Sequence, residues 1–285
     1  MGILGAIALG LVASVSWGVA DFVGGVEARR LPVLWVLLIS QPVGLGAATV
    51  WALSAGGAPP PLIDLAVAAA AGLAGALALG ALWAAMARGM IGLASPISAT
   101  GVLVPVIYGL ARGESPGPLQ LAGVALAIGG IILAVRPPPR SAQRRPGRDG
   151  LSVLFAAAAA LGFGAMFVGV AFAAKQSPAW AVCAARAGGC GVIVAGALVA
   201  RRGPAVRELK LPPLAAIGAL DVLGSSLYAL ATRLGRVSLI AVAASLYPAV
   251  TVILAARVVH ERLGHSQRAG VLVTLIGIAA IAAGG

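Results

Sequence analysis

Ten apolar stretches, almost free of charge, follow one another along this chain, at 3–23, 33–53, 62–86, 93–111, 119–135, 151–174, 179–200, 214–231, 239–259 and 269–283. That succession decides the fold class before any motif is read. A helix needs about 20 mostly apolar residues to cross hydrocarbon, and a lipid-exposed backbone must pair its own polar groups, which helices do locally. The expected architecture is therefore an all-α integral membrane protein of ten transmembrane helices. Composition agrees: 60% of the 285 residues are apolar and 10% are charged, mean hydropathy is +1.04, and soluble domains carry about 25% charged residues. The first charged residue is Asp21, and with no basic segment ahead of it the first run reads as a span, not a cleaved leader.

Lys and Arg number 20 against 8 Asp and Glu. A nucleic-acid face would need these clustered, whereas they sit in short gaps between apolar runs, where cationic loops meet lipid headgroups. No nucleic-acid partner is expected. Fifteen of the cations fall on the side of the gaps after odd-numbered spans, counting Arg257 at the end of the ninth stretch, four fall after even-numbered ones, and Arg186 lies deep inside a span. The positive-inside rule then places both termini outside. Cys183 and Cys190, seven apart in one run, lie about 10 Å apart along a helix axis at its usual rise. They cannot bridge each other and read as packing residues.

Self-comparison divides the chain. Glu114, Gln120, Gly123 and Gly130 reappear as Glu261, Gln267, Gly270 and Gly277, displaced by 147, and Gly92, Ser95 and Pro105 reappear as Gly235, Ser238 and Pro248, displaced by 143. Trp17-Gly18 answers to Phe163-Gly164 more weakly. Two five-span repeats, 1–135 and 151–285, would thus flank a basic linker, 136–150. Five is odd, so the second copy enters the membrane from the opposite side. Such inverted repeats build secondary transporters with a binding site near the midplane.

Ionisable residues at bilayer depth are costly and become functional candidates. Asp21, Arg186 and Asp221 qualify. Asp221 is ringed by Gly218, Gly224, Ser225 and Ser226, and Arg186 needs a carboxylate, backbone carbonyls or a substrate acid group. Trp17, Gln41, Trp83, Tyr108, Phe163, Ser225, Tyr228, Ser245 and Tyr247 are the polar and aromatic residues suited to lining a site for an apolar or zwitterionic molecule. Pro42, Pro96, Pro105 and Pro248 sit within or near helix interiors, where proline kinks a helix, and Gly72, Ala76 and Gly80 have the spacing of close helix packing. No enzyme signature is present. His260-Glu261 and His265 have the wrong spacing for a zinc protease, there is no Walker loop, and Glu261 with Arg262, like Glu114 with Arg112, reads as a helix-end charge pair. No catalytic residue, metal or cofactor is expected.

The chain resembles the drug/metabolite transporter superfamily, EamA type. The marks are Trp17-Gly18 in the first span and, in each half, a Pro in the fourth span followed by Glu and then Gln, as in LVPVIYGLARGESPGPLQLAG and SLYPAVTVILAARVVHERLGHSQRAG. Two departures are a first Pro-to-Glu interval one turn short and His260 where the family usually has Gly. The resemblance implies a central cavity lined by spans one, three, four, six, eight and nine. Trp17, Asp21, Trp83, Phe163, Asp221, Tyr228 and Tyr247 are then the substrate-binding residues, with Arg186 and Gln41 on peripheral spans. It also implies termini inside, against the charge count, and transport of small metabolites, often outward.

The expected partners are a small-molecule substrate, protons and membrane lipid, for a monomer or homodimer in the inner (cytoplasmic) membrane. The expected mechanism is alternating access, with Asp221 or Asp21 exchanging a proton for a substrate amine. The alternatives are a uniporter without proton coupling and a scaffold that moves nothing.

Overall fold

A computed structural model describes residues 3–56, 58–111, 117–135, 148–200, 209–234, 240, 243–244 and 246–283. Those residues are helical nearly throughout, with no strand among them. The helices are α1 (Ile3–Glu27), α2 (Val33–Ser54), α3 (Leu62–Arg88), α4 (Ile91–Ala99), α5 (Leu103–Ala111), α6 (Pro118–Val135), α7 (Arg148–Ala173), α8 (Pro178–Ala200), α9 (Leu211–Leu234), α10 (Tyr247–Val258) and α11 (His265–Ala283). Helices α1, α2, α3, α7, α8 and α9 are each long and apolar enough to cross a membrane. The remaining apolar segments are shorter, Ile91–Pro105 and Tyr247–Val258 among them, so a tally of ten crossings goes beyond what helix length supports. Leu11, Val50, Leu77, Leu161, Leu198 and Ile276 point outward, the lipid-facing surface of a multi-pass membrane protein.

The prolines do two different jobs. Pro42 and Pro96 lie inside α2 and α4, and Pro105 follows directly on the 3₁₀ turn that runs into α5, but Pro248 occupies the first turn of α10. A helix's first turn needs no N–H from its residues, so proline starts a helix there without breaking one. The fourth apolar stretch is correspondingly α4 and α5 joined through a 3₁₀ turn at Thr100–Val102.

Packing runs mainly between the two halves. Helix α1 packs on α9 and α7 on α3, α2 on α9 and α8 on α3, α1 on α10 and α7 on α4, while α6 meets α11. Exchanging the halves turns each of these pairings into its partner, as two copies related by a two-fold axis require. Small residues make the crossings close. A β-carbon on Gly72 would overlap the Ala185 carbonyl, one on Gly188 that of Ala69, and one on Gly218 that of Ser40. Gly72 and Gly218 stand 146 apart, and Ser40 and Ala185 stand 145 apart, so the α3–α8 and α2–α9 crossings are repeat equivalents. Backbones reach this distance only without side chains between them.

Candidate functional site

A cavity opens where these crossings meet, with about 800 Å³ of unfilled space including its mouth. Trp17 and Asp21 reach it from α1, Gln41 from α2, and Gly72, Gly75, Ala76 and Leu79 from α3. The second half supplies Phe163, Met166, Phe167 and Val170 from α7 and Val182, Ala185, Arg186 and Gly189 from α8. Asp221, Ser225 and Tyr228 on α9 and Tyr247 on α10 complete the wall.

Its polar centre is one hydrogen-bonded cluster. Arg186 grips Asp221 through both carboxylate oxygens, Nη1 to Oδ2 and Nη2 to Oδ1 at 3.0 Å. Nη1 also donates to Gln41 Oε1 at 2.8 Å, and Nη2 donates to Ser225 Oγ and to the Asp221 carbonyl at 3.0 Å. Gln41 Nε2 donates back to Asp221 Oδ2 at 3.1 Å. The same stretch of α9 anchors α1: Ser16 Oγ donates to the Leu220 carbonyl at 2.7 Å and Trp17 Nε1 to the Asp221 carbonyl at 3.2 Å. Trp17 fits because its indole lies on Gly224, where a side chain would collide with it.

Aromatic rings form the adjoining wall. Trp17, Phe167 and Tyr228 are mutually tilted with centroids 5.2–6.0 Å apart, and the Tyr228 hydroxyl donates to the Phe167 carbonyl at 3.3 Å. Phe163 meets Tyr247 edge-on at 6.5 Å, and Tyr247 shares a 2.8 Å hydrogen bond with Ser98.

Asp21 differs from Asp221. It is 6% exposed and faces the cavity, yet among the described residues it joins no ion pair. The buried Trp83 indole N–H makes no hydrogen bond among the described residues.

Of the residues expected from sequence to bind substrate, Trp17, Asp21, Phe163, Asp221, Tyr228 and Tyr247 converge on this cavity, and Trp83 does not. Trp83 is fully buried behind the wall, its ring filling the space over Gly24 of α1 where no side chain competes. Tyr108 is about half exposed on α5 and Ser245 lies outside the described residues. Gln41 and Arg186, assigned to peripheral spans by resemblance, are in the cavity, because α2 and α8 are drawn in by the Ser40–Gly218 and Ala185–Gly72 crossings. Gln41 and Arg186 stand 145 apart, the interval that also separates Ser40 and Ala185 at the equivalent crossings and one that lies between the displacements of 143 and 147 seen in sequence, so they occupy equivalent positions and meet across the pseudo-two-fold axis.

A second polar junction lies at the helix ends. Glu261 pairs with Arg29 and accepts from the free N–H groups of Ile91 at 3.1 Å and Gly92 at 3.0 Å. Its expected partner Arg262 is displaced because a carboxylate is held better by a helix N-terminus and a converging guanidinium than by a chain neighbour. Arg29 also reaches the Gly89 carbonyl at 3.2 Å. The corresponding pair Glu114 and Arg112 lies outside the described residues.

A solved crystal structure superposes on this fold with a TM-score of 0.69 at 14% identity, over 96% of this chain and 95% of that one, which establishes the shared fold. No curated protein matches the sequence. The sequence profile of the EamA-like transporter family matches residues 4–136 and again 150–283. The chain belongs to the EamA-like transporter family. Each match covers one of the two halves found by self-comparison, and membership makes the protein a membrane transporter of small molecules. In this EamA-like transporter the cavity, walled by both halves, is the candidate substrate site.

Proposed function

We propose that this EamA-like transporter moves small amine-bearing metabolites, amino acids among them, by alternating access of its two halves, exchanging them for protons at Asp21, with export as the working direction. One observation carries the reading: of the two carboxylates facing the cavity, Asp221 is committed to Arg186, whereas Asp21 joins no ion pair among the described residues. An apolar cavity with one uncompensated carboxylate accommodates a proton or an organic ammonium, and not both at once, which is the requirement for exchange. This transfers the coupling role, which sequence had assigned first to Asp221, to its alternative Asp21. A scaffold that moves nothing has no use for a carboxylate facing open space between its halves.

The test is flux in liposomes holding the purified protein and an internal pH dye, with amines, amino acids and sugars added singly. The expected result is a pH change triggered by an amine-bearing compound and abolished in Asp21→Asn. A variant that keeps substrate-triggered proton movement overturns the assignment of Asp21, and radiolabel uptake without any pH change identifies a uniporter.

A further inference from the structure

Among the described residues Arg186 is the one cation on the cavity wall, and its guanidinium is occupied. Both terminal nitrogens are engaged: Nη1 by Gln41 and Asp221 Oδ2, Nη2 by Ser225 and by Asp221 Oδ1 and carbonyl. The two-pronged grip on Asp221 is the geometry in which arginine binds any carboxylate or phosphate. Gln41 fastens the pair by accepting from Arg186 while donating to Asp221. The side chains of Arg186 and Asp221 are 12% and 13% exposed, so the pair is open to whatever enters. Buried ion pairs are often replaceable by apolar residues at no loss of stability, so stability by itself is weak grounds for keeping this one.

We propose that Arg186 is a masked anion site and that Asp221, by filling it from within, makes the cavity select cations over carboxylates. The proposal rests on this cavity being the substrate site and adds a specificity-determining pair to it. Asp221 cancels Arg186, so among the described residues Asp21 is left as the one carboxyl on the wall without a cationic partner. Removing only Asp221's charge should unmask the guanidinium and admit an anion beside the same aromatic wall. Removing only Arg186's charge should deepen the preference for cations.

Two probes with one aryl frame and opposite charges read this out: tyramine and 4-hydroxyphenylacetate, radiolabelled, in equilibrium dialysis against the purified full-length protein. Asp221→Asn, nearly isosteric, is expected to bind 4-hydroxyphenylacetate at least tenfold more tightly than the unsubstituted protein. Asp221→Asn combined with Arg186→Gln, having neither charge, is expected to lose that gain. Arg186→Gln alone, which stands in should Asp221→Asn not fold, is expected to raise the ratio of tyramine to 4-hydroxyphenylacetate affinity at least tenfold. If the folded single variants leave that ratio within threefold of the unsubstituted protein, the pair is a structural clamp and the proposal falls. The readout needs neither proton movement nor transport, so its failure is distinct from a failure of proton exchange at Asp21.

Discussion

His260 stands at φ 53° in the connection between α10 and α11. This is the left-handed region, where a β-carbon costs about 1–2 kcal/mol. It is also the position where the resembled family usually has glycine, so the departure seen in sequence has a local cost in the fold. Glycine relieves the strain but gives the unfolded chain more freedom, about 0.5–1 kcal/mol worth. His260→Gly is therefore expected to stabilise the protein by about 0.5–1 kcal/mol, read as a small rise in melting temperature of the detergent-solubilised protein. Glu261, the next residue, is the opposite case. Glu261→Ala removes the carboxylate partner of Arg29 and strands two N–H groups of α4, and leaving such donors unsatisfied costs about 1–3 kcal/mol. The same melting measurement should fall.

Among the elements, the crossings of α3 with α8 and of α2 with α9 carry the site, because they bring Gln41, Arg186 and Asp221 within hydrogen-bonding reach. Gly72→Val is expected to break the first crossing, since the Ala185 carbonyl already occupies the space a β-carbon would take. Overpacking of this kind costs about 1–3 kcal/mol or more, and size-exclusion chromatography should show the loss of a monodisperse protein. The Arg29–Glu261 junction ties the end of the first repeat's first helix, the start of its fourth and the end of the second repeat's fourth span. Alternating access requires such a junction to open. Cysteines at positions 29 and 261 joined by a short bifunctional thiol reagent should stop flux and leave the binding of a small probe to the cavity intact; flux that continues after complete cross-linking would show that this end does not open.

For the whole molecule, helix contacts run chiefly between the halves, so neither repeat buries its own helix faces alone. Cleavage at a protease site placed within 136–147 is expected to leave two fragments that co-elute in detergent, and a separately expressed half is expected to aggregate; independent, monodisperse halves would refute this. The amino-acid sequence by itself determined the all-helical membrane class, the approximate bounds of the six long helices and the duplication, because hydrophobic runs and residue intervals are local or periodic properties. It also marked Asp21, Arg186 and Asp221 as residues that must do something at their depth. Only the tertiary structure decided which of them are partners. Whether Trp83 faces the cavity or fills the gap over Gly24, and whether Asp21 or Asp221 keeps a free carboxylate, depends on which helix faces meet. That choice is made by small residues of one half approaching the backbone of the other, a non-local match that no single stretch of sequence contains.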